Sequence, residues 1–269
     1  MAALRLSRPS LMARLVPARM SVARTLCSAS ALGGHGADGG HGAKSSGSHK
    51  QQSGGLSDQE LRVRVLETAL LEVPALGWSA ESLSAGAVAC GLSPVAHGLL
   101  PRGPVELVEF FSAKCDADLS AQMEARHEEL AALEVHNRLL VGMQERLRLV
   151  EPYRASWPQA LALRALPTNL SNSLRDAHSL ASLLLDTCGE DAKVPLLPNA
   201  VDPHVKTMTI GAIYGAAELH MLTDSSPGLN DTWTFLEREV DALRTMASTT
   251  NRLPDISPAA LLVNLLMRK

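Results

Sequence analysis

Apolar residues recur at helical spacing from Asp58 onward, and prolines and glycines divide that pattern into segments. Ser57 or Asp58 stands as N-cap before a helix over residues 60–73. A second helix is predicted over 79–90, between the Gly77-Trp78 turn and Gly91, and a short third over 93–100. Pro104 opens a long helical region carrying Val105, Leu107, Val108, Phe110 and Phe111 toward Leu119. Polar-rich helices follow over 123–133 and 135–150, and Pro152, Pro158 and Pro167 frame a short helix over 157–166. Leu174, Leu180, Leu183, Leu184 and Leu185 lie on a helix over 171–188 that ends at Gly189, before a proline-broken loop over 190–203. The segment 205–222 is rich in small and apolar residues and is expected to be the most buried helix; another follows over about 230–247. No internal repeat is visible. The fold class is therefore all-α, a bundle of about nine helices.

The chain ends in Ser257-Pro258-Ala259-Ala260-Leu261-Leu262-Val263-Asn264-Leu265-Leu266-Met267-Arg268-Lys269. Ser at the N-cap, Pro at the first helical position and a basic end predict a C-terminal amphipathic helix. Its broad apolar face includes Leu261, Leu262, Leu265, Leu266 and Met267. At about 1.5 Å per residue the helix measures under ~20 Å, too short to cross a bilayer of about 30 Å. Two readings remain: a helix packed back on the body, or one that docks on a membrane surface or partner. The tether-like stretch 249–256 favours docking.

Composition changes the picture at the other end. Arg5, Arg8, Arg14, Arg19 and Arg24 are spread among Leu, Ala, Met and Ser, and no acidic residue precedes Asp38. That is the pattern of a mitochondrial transit peptide over residues 1–30. Residues 31–57, mostly Gly, Ser and His, form an expected disordered linker. The ordered part divides into a head over 58–115, a body over 116–248, and a tether with terminal helix over 249–269. The formal charge is −3, and losing five arginines takes it to about −8, which disfavours nucleic-acid binding. Aromatics make up only 3% of a chain that is 46% hydrophobic, so aliphatic packing must supply most of the core.

Candidate chemistry is sparse. Cys27, Cys90, Cys115 and Cys188 are scattered without a C-x-x-C pair, so neither a disulfide framework nor a structural metal site is expected. His35, His41 and His49 have no regular spacing in their tract, and Glu124-Ala125-Arg126-His127 is a single E-x-x-H where a di-iron site needs two. His220 reads as a core histidine. No hydrolase elbow, phosphate loop or dinucleotide fingerprint occurs. The expectation is no catalytic residues, no metal and no cofactor.

The first three predicted helices, with their turns at Gly77-Trp78 and Gly91, resemble the TetR-type helix-turn-helix head. The third helix nevertheless carries no Lys or Arg, and Arg62, Arg64, Arg102 and Lys114 are outnumbered by Glu60, Glu67, Glu72, Glu81, Glu106 and Glu109. A head that grips phosphates needs the opposite balance. TetR-type bodies commonly hold an apolar ligand between helices. Met143, Leu147, Leu161, Leu180, Leu184, Ile210, Ile213, Tyr214 and Leu219 are the candidates for lining such a lipid cavity; the alternative is that they pack a dry core.

Three blocks carry a closer resemblance. They are Arg64-Val65-Leu66-Glu67-Thr68-Ala69-Leu70 with Val73-Pro74-Ala75-Leu76-Gly77-Trp78-Ser79-Ala80-Glu81; Tyr153-Arg154-Ala155-Ser156-Trp157-Pro158-Gln159-Ala160-Leu161 with Leu166-Pro167-Thr168-Asn169-Leu170; and Ala212-Ile213-Tyr214, Glu218-Leu219, Asp224-Ser225-Ser226-Pro227 and Asp231-Thr232-Trp233-Thr234-Phe235-Leu236-Glu237-Arg238. Through them the chain resembles the lipid-binding accessory proteins of coenzyme Q (ubiquinone) biosynthesis, the ninth coenzyme Q biosynthesis protein family. The resemblance implies a TetR-like fold, a likeness to repressors without their activity, and a homodimer. It also implies peripheral attachment on the matrix side of the inner mitochondrial membrane, and a non-catalytic protein that presents a polyprenyl quinone intermediate to the demethoxyubiquinone hydroxylase. An isoprenoid quinone intermediate or a phospholipid is the implied ligand. In the family, aromatic and basic residues before this segment are associated with the hydroxylase; here His204 and Lys206 stand there without the aromatic pair. The rival readings are a ligand-responsive DNA-binding regulator and a scaffold that holds no lipid.

Overall fold

The computed structural model describes residues 57–189, 196–197 and 201–250, without the side chains of 96–97 and 247–250. The expected transit peptide, the linker up to residue 56 and the membrane-docking residues Leu261, Leu262, Leu265, Leu266 and Met267 lie outside the described residues.

Ser57 closes a capping box. Its backbone N–H donates to the Glu60 carboxylate at 2.8 Å while its Oγ accepts from the Glu60 N–H at 3.3 Å. Helix α1 (Asp58–Leu76) ends at Gly77, whose φ of 71° favours glycine. Ser79 caps α2 (Ala80–Ala89) by accepting from the Ser82 N–H. The two helices touch backbone to backbone: a Cβ on Gly86 would lie 2.7 Å from both the Ala69 nitrogen and the Val65 oxygen.

The expected third helix is instead a 3-10 segment, Pro94–Leu99. Pro94 lacks an N–H, Gly98 favours the coil, and the stretch is too short to repay α-helix nucleation. Helix α3 (Pro104–Ala125) then runs through the expected head–body boundary at 115/116 without interruption. Buried Glu106 ties it to the head, accepting from the Arg62 Nη2 at 2.7 Å and from the Arg102 backbone N–H at 2.8 Å. At Arg126 the backbone leaves helical geometry (φ −109°, ψ 15°) before α4 (His127–Ala131), so the predicted single helix over 123–133 is two pieces. Glu124 and His127 fall on different helices, and the E-x-x-H spacing does not share one helix face.

The body continues with α5 (Val135–Val150), a 3-10 turn (Glu151–Tyr153), α6 (Trp157–Ala165), α7 (Leu170–Cys188), α8 (Pro203–Thr223), a 3-10 turn (Pro227–Leu229) and α9 (Asn230–Thr250). Among the described residues there are nine α-helices and no strand; the protein is all-α. No described helix is long and apolar enough to cross a membrane. Helix α8 is not the most buried: eight of its 21 residues are buried, against eight of 16 in α5. Its small residues serve close packing on one side, where a Cβ on Gly211 would lie 3.6 Å from that of Ala181. Its outer side leaves Met208 and Leu219 about 60% exposed.

Two polar groups fix the connections around α8. His136 Nε2 lies 3.2 Å from the Leu196 carbonyl, and Leu196 and Leu197 are buried in the core despite their proline-rich surroundings. Asp224 accepts from the Ser226 N–H, the Thr232 N–H and the Thr232 hydroxyl at 2.6–2.8 Å. Burial alone would raise its pKa, but those hydrogen bonds hold it well below the ordinary carboxylate range.

Head and body join at an aromatic hub. Trp78, Phe111, Tyr153 and Trp157 meet with ring centroids 4.7–5.7 Å apart, mostly tilted or edge to face. Gln159 adds a polar tie, its Oε1 accepting from the Trp78 N–H at 2.9 Å.

The α1–α2 contact yields a test. Gly86→Ala forces a methyl against backbone atoms that have no rotamer to escape into, and is expected to destabilise the protein by about 2 kcal/mol. Chemical denaturation of the two proteins measures it; an unchanged midpoint contradicts the close approach.

Candidate functional site

A cavity of about 110 Å³ lies among α3, α5, α6, α7 and α8. Helix α3 contributes Ser112 and Asp116 one turn apart, α5 contributes Arg146, and α6 contributes Leu161 and Arg164. Asp176, Ala177, Leu180 and Ala181 come from α7, and Gly211, Tyr214, Gly215 and Glu218 from α8. Ala177 is exposed and the two glycines are half-buried, so the cavity reaches the surface between α7 and α8. A Cβ on Gly215 would meet no atom within 4 Å.

Charge dominates this space. Arg146 is only 3% exposed. Its Nε donates to Asp116 Oδ1 at 2.8 Å and its Nη2 to the Ser112 carbonyl at 3.4 Å. Burial works against its charge, but the ionisable groups around it, Tyr214, Cys115 and the hydrogen-bonded Asp116, outweigh it and raise its pKa. Glu218 accepts from Trp157 Nε1 at 3.1 Å, and its near-complete burial raises its pKa, favouring the protonated acid. Burial likewise raises Asp176, helped by the like charges of Glu109 and Asp116. Tyr214 is also held protonated by burial.

Four polar atoms of the lining are buried without a hydrogen-bond partner: Ser112 Oγ, Arg146 Nη1, Asp176 Oδ2 and Tyr214 OH. An orphaned buried polar atom typically costs about 1–3 kcal/mol, so four around one cavity mark a place where a partner belongs. The set offers hydrogen bonds rather than an activated nucleophile. Cys115, the nearest thiol, is pushed up to about 11 by burial and stays protonated at neutral pH.

Of the nine lipid-binding candidates, Leu161, Leu180 and Tyr214 line the cavity. Met143, Leu147, Leu184, Ile210 and Ile213 are at most 2% exposed and pack in the closed core without lining it, and Leu219 is 59% exposed on the outer side of α8. The partner-docking candidates sit at the start of α8, with His204 exposed and Lys206 half-buried; neither lines the cavity. His220 is a structural group, within 3.3 Å of the Thr232 hydroxyl and stacked on Phe235. No group of three or more metal-binding side chains occurs among the described residues.

Apart from Tyr214, the polar residues of the cavity stand outside the aliphatic pattern that marks a lipid pocket. One signal was available: Arg146 falls among Leu139, Met143 and Val150, at the spacing of a buried helix face, where a cation needs a partner. Glu218 within apolar α8 is a second example.

The raised pKa of Glu218 predicts a pH dependence. A carboxyl whose folded pKa exceeds its unfolded value contributes stability that is full below about pH 4.3 and lost as pH rises through the folded value. Glu218→Gln keeps an acceptor for Trp157 but carries no titrating proton. It should therefore match the wild type near pH 4 and be progressively more stable relative to it as pH rises, as denaturation across that range will show. A constant difference would contradict the assignment.

A family model described as COQ9 matches residues 170–247, from α7 into α9. Similarity to individual proteins extends further. The chain is 31% identical over 211 residues to ubiquinone biosynthesis protein COQ9-B, mitochondrial, of Xenopus laevis, covering 76% of this chain and 70% of that protein. It is 30% identical over 208 residues to ubiquinone biosynthesis protein COQ9, mitochondrial, of Homo sapiens, covering 76% and 64%. A Drosophila melanogaster protein of the same name is 32% identical over 185 residues, covering 67% and 54%. These alignments span most of the ordered helices, and the chain belongs to the COQ9 family.

Proposed function

We propose that this protein is a non-catalytic accessory protein of ubiquinone biosynthesis, which binds an isoprenoid lipid and presents a polyprenyl quinone intermediate to the demethoxyubiquinone hydroxylase. The names of its relatives support the pathway and the mitochondrion. The observation that carries lipid binding is the cavity that reaches the surface between α7 and α8. At about 110 Å³ it is far smaller than the roughly 300–1,000 Å³ of a typical ligand pocket, so the tail must lie elsewhere or part the helices. Exposed Leu170 and Leu174 on α7, and Met208 and Leu219 on α8, supply apolar surface for the tail or for a second copy of the chain in a homodimer.

The apolar pattern of residues 257–269 supports docking on the matrix face of the inner membrane through Leu261, Leu262, Leu265, Leu266 and Met267. Each buried lipid CH₂ contributes about 0.8 kcal/mol, so a few isoprene units suffice for retention. His204 and Lys206 at the exposed start of α8 are the proposed contact with the hydroxylase.

Lipid extraction from the purified full chain, followed by mass spectrometry, should recover an isoprenoid quinone or a phospholipid. Well-folded protein yielding neither, while still floating with liposomes, would identify a scaffold instead. Deleting residues 257–269 should reduce flotation with anionic liposomes several-fold while the melting transition persists. Unchanged flotation would remove the anchor from these residues.

A further inference from the structure

The unpartnered atoms of the cavity specify more than a lipid. Arg146 Nη1 can only donate, Asp176 Oδ2 as a carboxylate can only accept, and Tyr214 OH and Ser112 Oγ can do either. A ligand completing this set must offer both an acceptor oxygen and an O–H. Two arginines, Arg146 and Arg164, face two aspartates, Asp116 and Asp176, and burial shifts Glu218 toward its neutral acid. With its cations and anions balanced, the cavity has no excess charge to attract an anion, and its fixed polar groups reject a purely apolar guest. Its size narrows the choice further. The volume of about 110 Å³ falls below the roughly 150 Å³ of an engineered cavity that admits benzene. At that size a ring enters only in part, the rest emerging toward Gly215, where there is open space.

We propose that this cavity is a subsite for an uncharged phenolic ring, whose hydroxyl donates to Asp176 and accepts from Arg146 and Tyr214. This rests on the lipid-binding reading and sharpens it: the ring would be held in its reduced, hydroxyl-bearing form. A quinone offers only acceptor oxygens and leaves Asp176 Oδ2 unpaired, whereas a phenol or hydroquinone satisfies both sides. The tail would leave past Ala177 and Gly215, between α7 and α8.

The test uses tail-less rings on the full chain, read by calorimetric titration and ligand-observed magnetic resonance. The probe is 4-methoxyphenol, with 1,4-dimethoxybenzene lacking the O–H, toluene lacking both oxygens, and benzoate carrying a charge. The phenol should bind at least about tenfold more tightly than the dimethyl ether, with toluene and benzoate weaker still. Tyr214→Phe removes an unpartnered hydroxyl, so its melting temperature should not fall, yet phenol affinity should drop about tenfold. Gly215→Leu, which places a side chain in the open space, should abolish binding. Equal binding of toluene or the dimethyl ether, or indifference to Tyr214→Phe, overturns the proposal. So does the absence of binding by any ring at millimolar concentration, which would assign the four atoms to water alone. Lipid extraction separates this proposal from the broader one. Phenol binding without recovered lipid removes the tail and keeps the ring site; recovered lipid without phenol binding does the reverse.

Discussion

The contact on which the rest depends is the one made by Trp157. Its indole packs edge to face against Trp78 from the head and Phe111 from α3, while its N–H donates to Glu218 on α8. The chain has only eight Phe, Trp and Tyr residues, and four of them gather here. Burying so much of the aromatic surface at one point makes the hub the apolar junction of head and body. The same indole reaches the cavity wall, so the apolar junction and the polar interior share a side chain. The neutral form that burial favours at Glu218 suits that position, because a charged carboxylate there would be buried with a single hydrogen bond, from Trp157.

Around the cavity the chain accepts an arrangement that adds little to stability. A partly buried pair such as Arg146 with Asp116 gains in Coulomb energy much of what it loses in desolvation, and well-packed apolar residues often do as well. What the pair provides is position. Asp116 and the Ser112 carbonyl hold two of the guanidinium nitrogens, and the third is left aimed at whatever completes the site. The binding groups thus come from helices fixed by the core rather than from loops.

Helical periodicity and capping residues made most elements legible: Val135–Val150 appears as expected, and the ends of α1, α2, α6 and α7 differ by a few residues at most. The differences from the helical pattern have local physical causes. Residues 94–99 are apolar enough for a helix, but proline and glycine leave only 3-10 geometry. Small residues in α8 read as deep burial, when they mark close approach to α7 on one side only. The site was less legible than the fold. Aliphatic side chains with helical spacing are core by default, and Met143, Leu147, Leu184, Ile210 and Ile213 are just that. Asp116, Arg146, Asp176 and Glu218 come from four helices, and no spacing along the chain brings them together.

Helix α3 sets a further constraint. Near its start Glu106, Leu107 and Val108 are buried, with Glu106 engaging the head; Phe111 joins the aromatic hub, and Ser112 and Asp116 face the cavity. One continuous helix thus keeps three sets of contacts in rotational phase. Inserting or deleting a single residue between Val108 and Phe111 would turn everything beyond it by about 100°. The head, the hub and the cavity could not all remain engaged. Helix α3 therefore acts as a ruler between head and cavity, whose length cannot change without breaking one of these contacts.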